Sequence, residues 1–300
     1  IKEWQEKGIS IFYPDQKPIA LFDRISFQES YKNYLNNIKF SNIKDFSNSN
    51  LPQITFLIYY DSKKLKNLQS ILKSFLDQSF DKWNLVLISK NSDVVDSSLL
   101  TPDTRISLIP NSDIKSISDK INSLEYDFLG LIDSNVTLSS YSLLEFVKFL
   151  KKNPNSDIIY SDHDSIDKNG KRHNPFFKPN WSLITFLSFD YISSLCIVKK
   201  DIVQKVLKNK ILNDFSFDFL LHCVHSTNEI THVPSPLYSK MDYDPLFSKE
   251  YKKHILIKYV QENYIDAKIE NGLLPDTFRI HYNLKSQPKV SIFIPTKNNR

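Results

Sequence analysis

Short apolar runs alternate along the chain with segments whose apolar residues have helical spacing. The runs at 54–60 and 83–88 are rich in β-branched and aromatic residues and predict buried strands, and the periodic segment 65–76 between them predicts an amphipathic helix. Further strands are predicted at 105–109, 128–132, 157–161, 192–198, 229–233, 267–270 and 277–282, and further helices at 114–121, 143–150, 200–208, 214–225 and 248–264. This alternation predicts an α/β fold with a mostly parallel central sheet flanked by helices.

The pattern also divides the chain. Residues 1–50 are weakly patterned and end in a Ser/Asn-rich stretch, which predicts an N-terminal extension or linker before a main domain at 51–284. The segment 52–59 is echoed at 288–295, a shift of 288 − 52 = 236 residues. A repeat of this length indicates a duplicated domain. We therefore expect 285–300 to be a linker and the first strand of a second, truncated copy.

A polar cluster follows the predicted strand at 128–132. Asp133, Ser134 and Asn135 stand at the carboxyl end of that strand, the edge at which open α/β sheets bind ligands. An Asp-x-Asn there can offer oxygen ligands to a divalent cation that holds a diphosphate. The alternative is a turn followed by a helix cap. The spacing alone favours the turn, because short polar motifs often match by chance.

Composition and charge exclude several classes of function. The net charge of +5 comes from 39 basic and 34 acidic residues that are interleaved, so nucleic-acid binding is not expected. The longest apolar stretch, 181–198, is interrupted by Asp190, and a charge near mid-span costs about 3 kcal/mol, so no membrane span is expected. Cys196 and Cys223 are too few for a disulfide framework and fit a reducing compartment. We expect a cytoplasmic protein, with or without peripheral attachment to the inner membrane.

Phosphate-binding glycine loops are excluded as well. The chain has only four glycines, and no two of them are close in sequence. Both G-x-G-x-x-G and the P-loop need clustered glycines to bring the backbone near phosphate. Any nucleotide must therefore be held by side chains, a metal and isolated backbone groups.

Two other clusters have metal-binding residue types. Residues 162–164 form Asp-His-Asp before an Asn-Gly turn, and the alternative is a hydrogen-bonded turn at that place. The second cluster has a zinc-like composition and consists of His222, Cys223, His225 and His232. It has no Cys-x-x-Cys and fits no common structural zinc site, so packing and surface exposure explain it better.

Several of these segments resemble glycosyltransferase family 2. The resemblance rests on the predicted strand at 54–60, on Asp-Phe-Leu-Gly-Leu-Ile-Asp-Ser-Asn at 127–135 and on Ser-Asp-Ile-Ile-Tyr-Ser-Asp-His-Asp at 156–164. The segments 174–181 and 265–275 are similar to tandem-domain members implicated in O-antigen and other surface-polysaccharide assembly.

The resemblance covers about residues 30 to 300 and implies a GT-A fold, with a nucleotide-binding α/β half and a mixed acceptor-side half. It assigns the nucleotide-sugar donor to Tyr59, Tyr60, Asp61, Ser89, Asp133 and Ser134. It assigns a divalent cation, Mn²⁺ or Mg²⁺, to Asp133 and Asn135, the glycan acceptor side to Asp162, Asp164 and Trp181, and catalysis to Ser216 and Asp218.

Some of these positions depart from the family's pattern. Ser89 stands where the family has an Asp that contacts the base, and Asn135 stands where it has a second carboxylate. Ser216 replaces the Asp that acts as general base, so only Asp218 remains of that pair. A carboxylate about 4 Å from a cation is worth about 4 kcal/mol at an effective dielectric of 20. Because Asn135 lacks that charge, we expect metal binding to be weakened or lost. Losing a general base costs about 10² to 10⁴-fold in rate.

Further departures occur at His222, which replaces an Arg, and at Ser239 and Lys240, which replace the His and Trp of a Leu-Tyr-His-Trp segment. Two hypotheses follow. In the first, the domain transfers a hexose from a nucleotide-sugar to a glycan acceptor with inversion, from a degenerate site. In the second, it is a catalytically inactive GT-A domain that binds glycan or positions an active second glycosyltransferase domain of the same chain.

Overall fold

The computed structural model describes residues 24–38, 51–60, 65–89, 103–109, 113–241, 249–263, 267–283, 286–287 and 289–294. The helices are α1 (Arg24–Asn37), α2 (Leu65–Leu76), α3 (Ile114–Ser123), α4 (Ser142–Lys152), α5 (Leu183–Ser188), α6 (Lys200–Asn209), α7 (Phe217–His225) and α8 (Lys249–Asn263). The strands are β1 (Ile54–Tyr60), β2 (Trp83–Ser89), β3 (Ile106–Ile109), β4 (Phe128–Ile132), β5 (Val136–Leu138), β6 (Ile158–Ile166), β7 (Arg172–Phe176), β8 (Leu195–Lys199), β9 (Ile230–Lys240), β10 (Ala267–Asn271) and β11 (Phe278–Tyr282). Among the helices of this described part, none has the length and apolar character needed to cross a bilayer.

The central sheet has the strand order β3-β2-β1-β4-β8-β6-β9-β5, and β7 pairs with the outer part of β6. The four strands from β3 to β4 are parallel, with Ile54 of β1 beside Trp83 of β2 and Phe128 of β4. The remainder is mixed, because β8 is antiparallel to β4 and β6, whereas β6 and β9 are parallel. The predicted α/β class, with a parallel half and a mixed half, is confirmed.

Both faces of the sheet are covered by helices. Helices α2 and α4 pack with Phe56 and Ile58 of β1 on one face. Helices α3, α6, α7 and α8 pack with Leu57 and Tyr59 of β1 on the other face. Successive side chains of a strand point to opposite faces, so a strand buried on both faces must be apolar throughout. This explains why β1 was predicted at its full length.

Strands β6 and β9 are longer than the sequence predicts. The predicted strands end at 161 and 233, whereas β6 continues to Ile166 and β9 continues to Lys240. The added residues include buried polar side chains, so the apolar run ends before the strand does. Residues 162–164 lie inside β6, and the alternative of a hydrogen-bonded turn at that place is wrong.

Helix α1 and strand β5 were not predicted. Among the side chains of α1 that the structure describes, from 28 to 37, Tyr31 is buried while Tyr34 is exposed, so this part of the helix has no clear apolar periodicity. The helix packs on the main domain through Tyr31, whose ring meets Phe177 edge-on with 6.4 Å between centroids. A hydrogen bond of 3.3 Å from Gln28 to Asn174 adds to this contact. The described part of the predicted N-terminal extension therefore belongs to the body of the fold.

The repeated segment near the end of the chain is exposed. Residues 289–294 lie outside any helix or strand, and their large apolar side chains are 72% to 92% exposed. The matching side chains of β1 are buried. The two prolines that begin and end the repeat, at 288 and 295, lie outside the described residues. The second copy remains a prediction.

The close approach of β4 to β1 gives a test of the core. A Cβ on Gly130 would lie 2.1 Å from Cδ1 of Phe56. We predict that Gly130→Ala lowers the free energy of unfolding by about 1–3 kcal/mol, because overpacking forces neighbouring groups to move. Urea unfolding measures this change. The double variant Phe56→Leu/Gly130→Ala should lose less stability than the sum of the two single variants, and strict additivity would contradict the clash.

Candidate functional site

The carboxyl ends of the parallel strands form one edge of the sheet. Tyr60 of β1 is paired with Ser89 of β2, and both side chains are buried. Tyr59 reaches the opposite face, where its hydroxyl accepts a hydrogen bond of 3.1 Å from the backbone N–H of Phe215. The predicted donor residue Asp61 lies outside the described residues. Of the described donor candidates, Tyr60 and Ser89 line the interior of this edge.

Asp133 follows β4 at the same edge. Its N–H donates to Ser194 O at 3.0 Å, and its carbonyl accepts from Val136 N at 3.2 Å. The chain therefore turns at Asp133 and enters β5. The N–H of Met241, just past β9, donates to Asn135 O at 2.8 Å and ties this turn to β9. The predicted turn is present, but a strand follows it, so the predicted helix cap is wrong.

The Asp133 carboxylate lies against the side chain of Asn135. With the amide nitrogen turned toward the carboxylate, Nδ2 is 3.2 Å from Oδ2 and 3.3 Å from Oδ1. We assign this orientation because it makes both hydrogen bonds. Burial raises the pKa of the Asp133 carboxyl, whereas the ammonium groups of Lys240 and Lys252 act to lower it. The role of Asp133 and Asn135 as metal ligands remains a prediction.

Two lysines and a second carboxylate complete this charge cluster. Lys252 of α8 contacts Asp190 with a separation of 2.5 Å between Nζ and Oδ2. Burial opposes ionisation of Asp190, but Lys252 and the hydrogen bonds from Ser193 prevail and lower the pKa of that carboxyl. Burial lowers the pKa of Lys240, while Asp190 and Asp133 oppose that shift. The edge of the sheet thus holds two carboxylates and two cationic side chains.

Strands β6 and β9 contribute to a second polar cluster. Oδ1 of Asp162 accepts from Lys178 N and from Nε2 of His232, both at 2.7 Å. The Lys178 ammonium group donates to the hydroxyl of Tyr238 at 2.8 Å. Asp162, a predicted acceptor-side residue, is buried, and its Oδ1 joins β6 to β9 and to the segment that contains Lys178.

Asp164 is buried more deeply still. Oδ2 accepts from Tyr31 at 2.5 Å and from Nε of Arg172 at 2.6 Å. Oδ1 accepts from Ser239 at 2.5 Å. Trp181, the third predicted acceptor-side residue, is half-buried and packs near Phe186, with 5.5 Å between ring centroids. Their roles toward an acceptor remain predictions.

Ser216 lies at the start of α7 and is bound to Asp214. Its Oγ donates to Oδ1 of Asp214 at 2.7 Å, and its N–H donates to the same oxygen at 2.5 Å. The hydroxyl of Tyr251 donates to Oδ2 of Asp214 at 2.5 Å. Burial raises the pKa of the Asp214 carboxyl, although these hydrogen bonds oppose the shift. Ser216 therefore has an acidic partner that can accept its proton.

Asp218, the remaining acidic residue of the predicted catalytic pair, is also buried. Its Oδ2 accepts from the backbone N–H of Asn213 at 2.6 Å and from the Asn213 side chain at 2.9 Å. Nε2 of His222 lies 3.7 Å from Oδ1. Burial lowers the pKa of His222, while Asp218 opposes that shift. These contacts connect Asp218, in the first turn of α7, to the loop that precedes this helix.

Asp190 and Tyr251 were not assigned to the site from the sequence. Asp190 was noted only as a charge within an apolar stretch, and Tyr251 lies in a helix with no recognisable motif. Only the fold brings them near Asp133 and Asp214. Across the described ranges, no group of three or more His, Cys, Asp or Glu side chains is arranged to hold a metal.

Lys178 gives a pH-dependent test of the polar interior. Burial lowers the pKa of Lys178 to about 7, with Lys240 acting in the same direction and Asp162 opposing it. Between pH 7 and 9 the unfolded chain therefore keeps a proton that the folded chain releases. We predict that the free energy of unfolding rises with pH in this window, by up to about 1.4 kcal/mol per pH unit from this group.

In the variant Lys178→Met, the free energy of unfolding should rise less steeply with pH than in the unmodified chain. Urea unfolding at pH 7, 8 and 9 measures this difference. The exposed Lys208→Met is the matched control and should keep the slope of the unmodified chain. An unchanged slope in Lys178→Met would assign the pH dependence to other groups.

The chain shares sequence similarity with known proteins. No protein-family model matches the chain. It is 26% identical over 183 residues to the O-antigen biosynthesis protein RfbC of Myxococcus xanthus, which covers 57% of this chain and 14% of the relative. It is 23% identical over 280 residues to the uncharacterized protein y4gI of Sinorhizobium fredii, which covers 86% of this chain and 31% of the relative. The chain thus spans less than a third of either relative.

Solved structures of S. aureus TarS also match part of the chain. The fragment 1-349 in complex with UDP-GlcNAc has a TM-score of 0.48 and 14% identity, and the match covers 69% of this chain and 71% of that one. A second TarS structure has a TM-score of 0.47 and is covered over 43% of its length. The match to RfbC confirms the resemblance to surface-polysaccharide biosynthesis proteins that the sequence motifs indicate.

Proposed function

We propose that this chain is a glycosyltransferase domain of surface-polysaccharide assembly. It transfers a hexose from a nucleotide-sugar to a glycan acceptor with inversion at the anomeric carbon. The observation that carries the proposal is the position of Asp133, which stands at the carboxyl edge of the parallel strands beside two lysines. That edge is where open α/β sheets bind nucleotides, and the similarity to RfbC supports the polysaccharide role.

The donor would lie across the ends of β1, β2 and β4. Ser89 takes the place of the family's base-contacting Asp, so any contact to the base is a neutral hydrogen bond rather than a charged one. The resemblance implies a divalent cation held by Asp133 and Asn135. It would stabilise the diphosphate leaving group when bound. That role requires the Asn135 amide to rotate and present its oxygen, which breaks both hydrogen bonds to Asp133.

The acceptor hydroxyl needs a base, and the pair of Ser216 and Asp214 can supply one. The acceptor proton passes to Ser216 Oγ while the Ser216 proton passes to Oδ1 of Asp214, over the existing 2.7 Å hydrogen bond. The acceptor oxygen then bonds to the anomeric carbon, and the bond from that carbon to the diphosphate breaks. A raised pKa makes Asp214 a stronger base than an ordinary carboxylate.

The alternative is a catalytically inactive domain that binds glycan or positions a second domain. It is favoured by the hydrogen bonds that already engage Asp214 and Asp218 at the predicted base position. In this alternative, the chemistry belongs to the second copy suggested by the repeat at 288–295. The exposed apolar side chains at 289–294 support such a copy, because the equivalent strand of this domain is buried.

Donor binding tests the proposal directly. We expect a hexose nucleotide from a panel of UDP-, dTDP- and GDP-hexoses to bind the chain in calorimetry. Asp133→Ala should weaken binding by about 10-fold or more, because a carboxylate that would accept hydrogen bonds from the sugar hydroxyls of the donor is lost. Asp201→Ala, on the exposed start of α6, is the control and should bind as the unmodified chain does. Absence of binding across the panel would contradict the proposal.

Turnover separates the two candidate functions. We expect Ser216→Ala and Asp214→Asn to lower kcat by about 10² to 10⁴-fold with little change in donor affinity. The rate should rise with pH as Asp214 loses its proton, above the usual carboxyl range because burial raises that pKa. Loss of activity in Asp218→Asn alone would identify Asp218 as the base. Donor binding without turnover in the unmodified chain would support the inactive module.

A further inference from the structure

We propose that Lys240 takes the place of the divalent cation and binds the donor diphosphate directly, so that donor binding requires no metal. This inference rests on the proposed function, since it concerns the same donor site. It differs from the metal-dependent arrangement that the family resemblance implies.

Strand pairing fixes the position of Lys240. It is the last residue of β9, and its Cα is paired with that of Val136 in β5, the residue directly after the Asp133 turn. The hydrogen bond from Met241 N to Asn135 O, 2.8 Å long, holds this end of β9 to the turn. Alternation along β9 sets Lys240 on the same face as Tyr238, whose hydroxyl meets Lys178 within the polar cluster.

The Lys240 ammonium group is available to a ligand. No hydrogen bond or ion pair of its Nζ is found within the described residues. Lys252, by contrast, lies 2.5 Å from Asp190 and is committed to that carboxylate. An ammonium group that is largely enclosed by protein gains most from an anion, because little hydration has to be removed on binding.

Asn135 fits this arrangement better than it fits a metal. Its Nδ2 lies 3.2 Å and 3.3 Å from the two oxygens of Asp133, so the amide holds the carboxylate in place as a donor. If the amide rotated, its oxygen would face the carboxylate. The distance between these oxygens would then be about that between two neighbouring oxygen ligands of one cation. The metal-free arrangement keeps both hydrogen bonds to Asp133, whereas metal binding would break them.

The charge balance supports the arrangement without metal. Compared with the family's Asp-x-Asp-Asp pattern, Asn135 and Val136 each remove one negative charge, and Lys240 adds one positive charge. Together these changes make the site more positive by three units, which is at least the charge that a divalent cation would supply. A metal bound in addition would place two further positive charges beside an ammonium group. A diphosphate therefore meets a more positive site here without a metal than the family's pattern would offer without one.

Calorimetry with UDP, GDP and dTDP on the 300-residue chain tests the proposal. We expect at least one of them to bind equally well in EDTA and in Mn²⁺. Lys240→Met, which keeps the length of the side chain, should weaken that binding by about 10 to 100-fold, the range for a lost hydrogen bond to a charged group. The exposed Lys208→Met should have no effect, and melting temperatures of the variants report whether each is folded.

A double variant provides the decisive arm. Asn135→Asp/Lys240→Met restores the two family-like charges, and we expect it to bind the same nucleotide only in Mn²⁺. If the unmodified chain binds in Mn²⁺ but not in EDTA, the inference is wrong while the proposed function stands. If Lys240→Met is folded and binds normally in EDTA, the inference is again wrong. If no nucleotide binds under any condition, both the inference and the proposed function are overturned.

Discussion

The buried carboxylate of Asp164 is the constraint on which the mixed half of the sheet depends. Its side chain has no solvent exposure, and it accepts hydrogen bonds from α1, β7 and β9 through Tyr31, Arg172 and Ser239. Breaking a buried charge pair by removing one partner costs about 3–5 kcal/mol. These elements must therefore stay together for the carboxylate to remain inside. Arg172 extends the network, because its other nitrogens donate to Ser139, Tyr141 and Pro236.

This network also sets the geometry of the site. Ser239 is bound to Asp164, so the adjacent Lys240 is fixed at the end of β9. The same strand pairs with β5, which begins directly after the Asp133 turn. The ammonium group on β9 and the carboxylate after β4 thus approach each other because the hydrogen bond from Ser239 to Asp164 anchors this end of β9. The positions of the charged side chains at this edge of the sheet depend more on the buried polar contacts than on the apolar core.

The sequence predicted the parallel half well and the mixed half less well, for one physical reason. Strands β1 and β4 are buried on both faces by apolar side chains, so the apolar pattern marks their full length. Strands β6 and β9 bury charged and hydroxyl side chains whose cost is offset by partners distant in sequence, such as Arg172 for Asp164. Hydrophobic periodicity cannot detect such compensation, and it therefore ended both strands too early.

The same reasoning applies to the site. The location of Asp133 could be predicted, because a polar residue after a buried parallel strand must emerge at the ligand edge. Its neighbours Asp190, Lys240 and Lys252 could not, since they come from three later segments that only the fold brings together. The role of Ser216 likewise depends on Asp214, whose hydrogen bond to the serine hydroxyl is a matter of local geometry rather than of motif.

Two of the residues that depart from the family's pattern, Asn135 and Ser216, therefore have hydrogen-bonding partners. Asn135 lacks the carboxylate charge, yet it binds Asp133 and lies beside the added charge of Lys240. Ser216 lacks the carboxylate of a general base, yet it donates to Asp214. A site that had merely lost function would be expected to leave some of its charges uncompensated in the interior, because nothing would maintain their balance. Here Asn135 and Ser216, which replace two of the carboxylates, each hydrogen-bond to a neighbouring carboxylate, and this favours a rearranged site over an abandoned one.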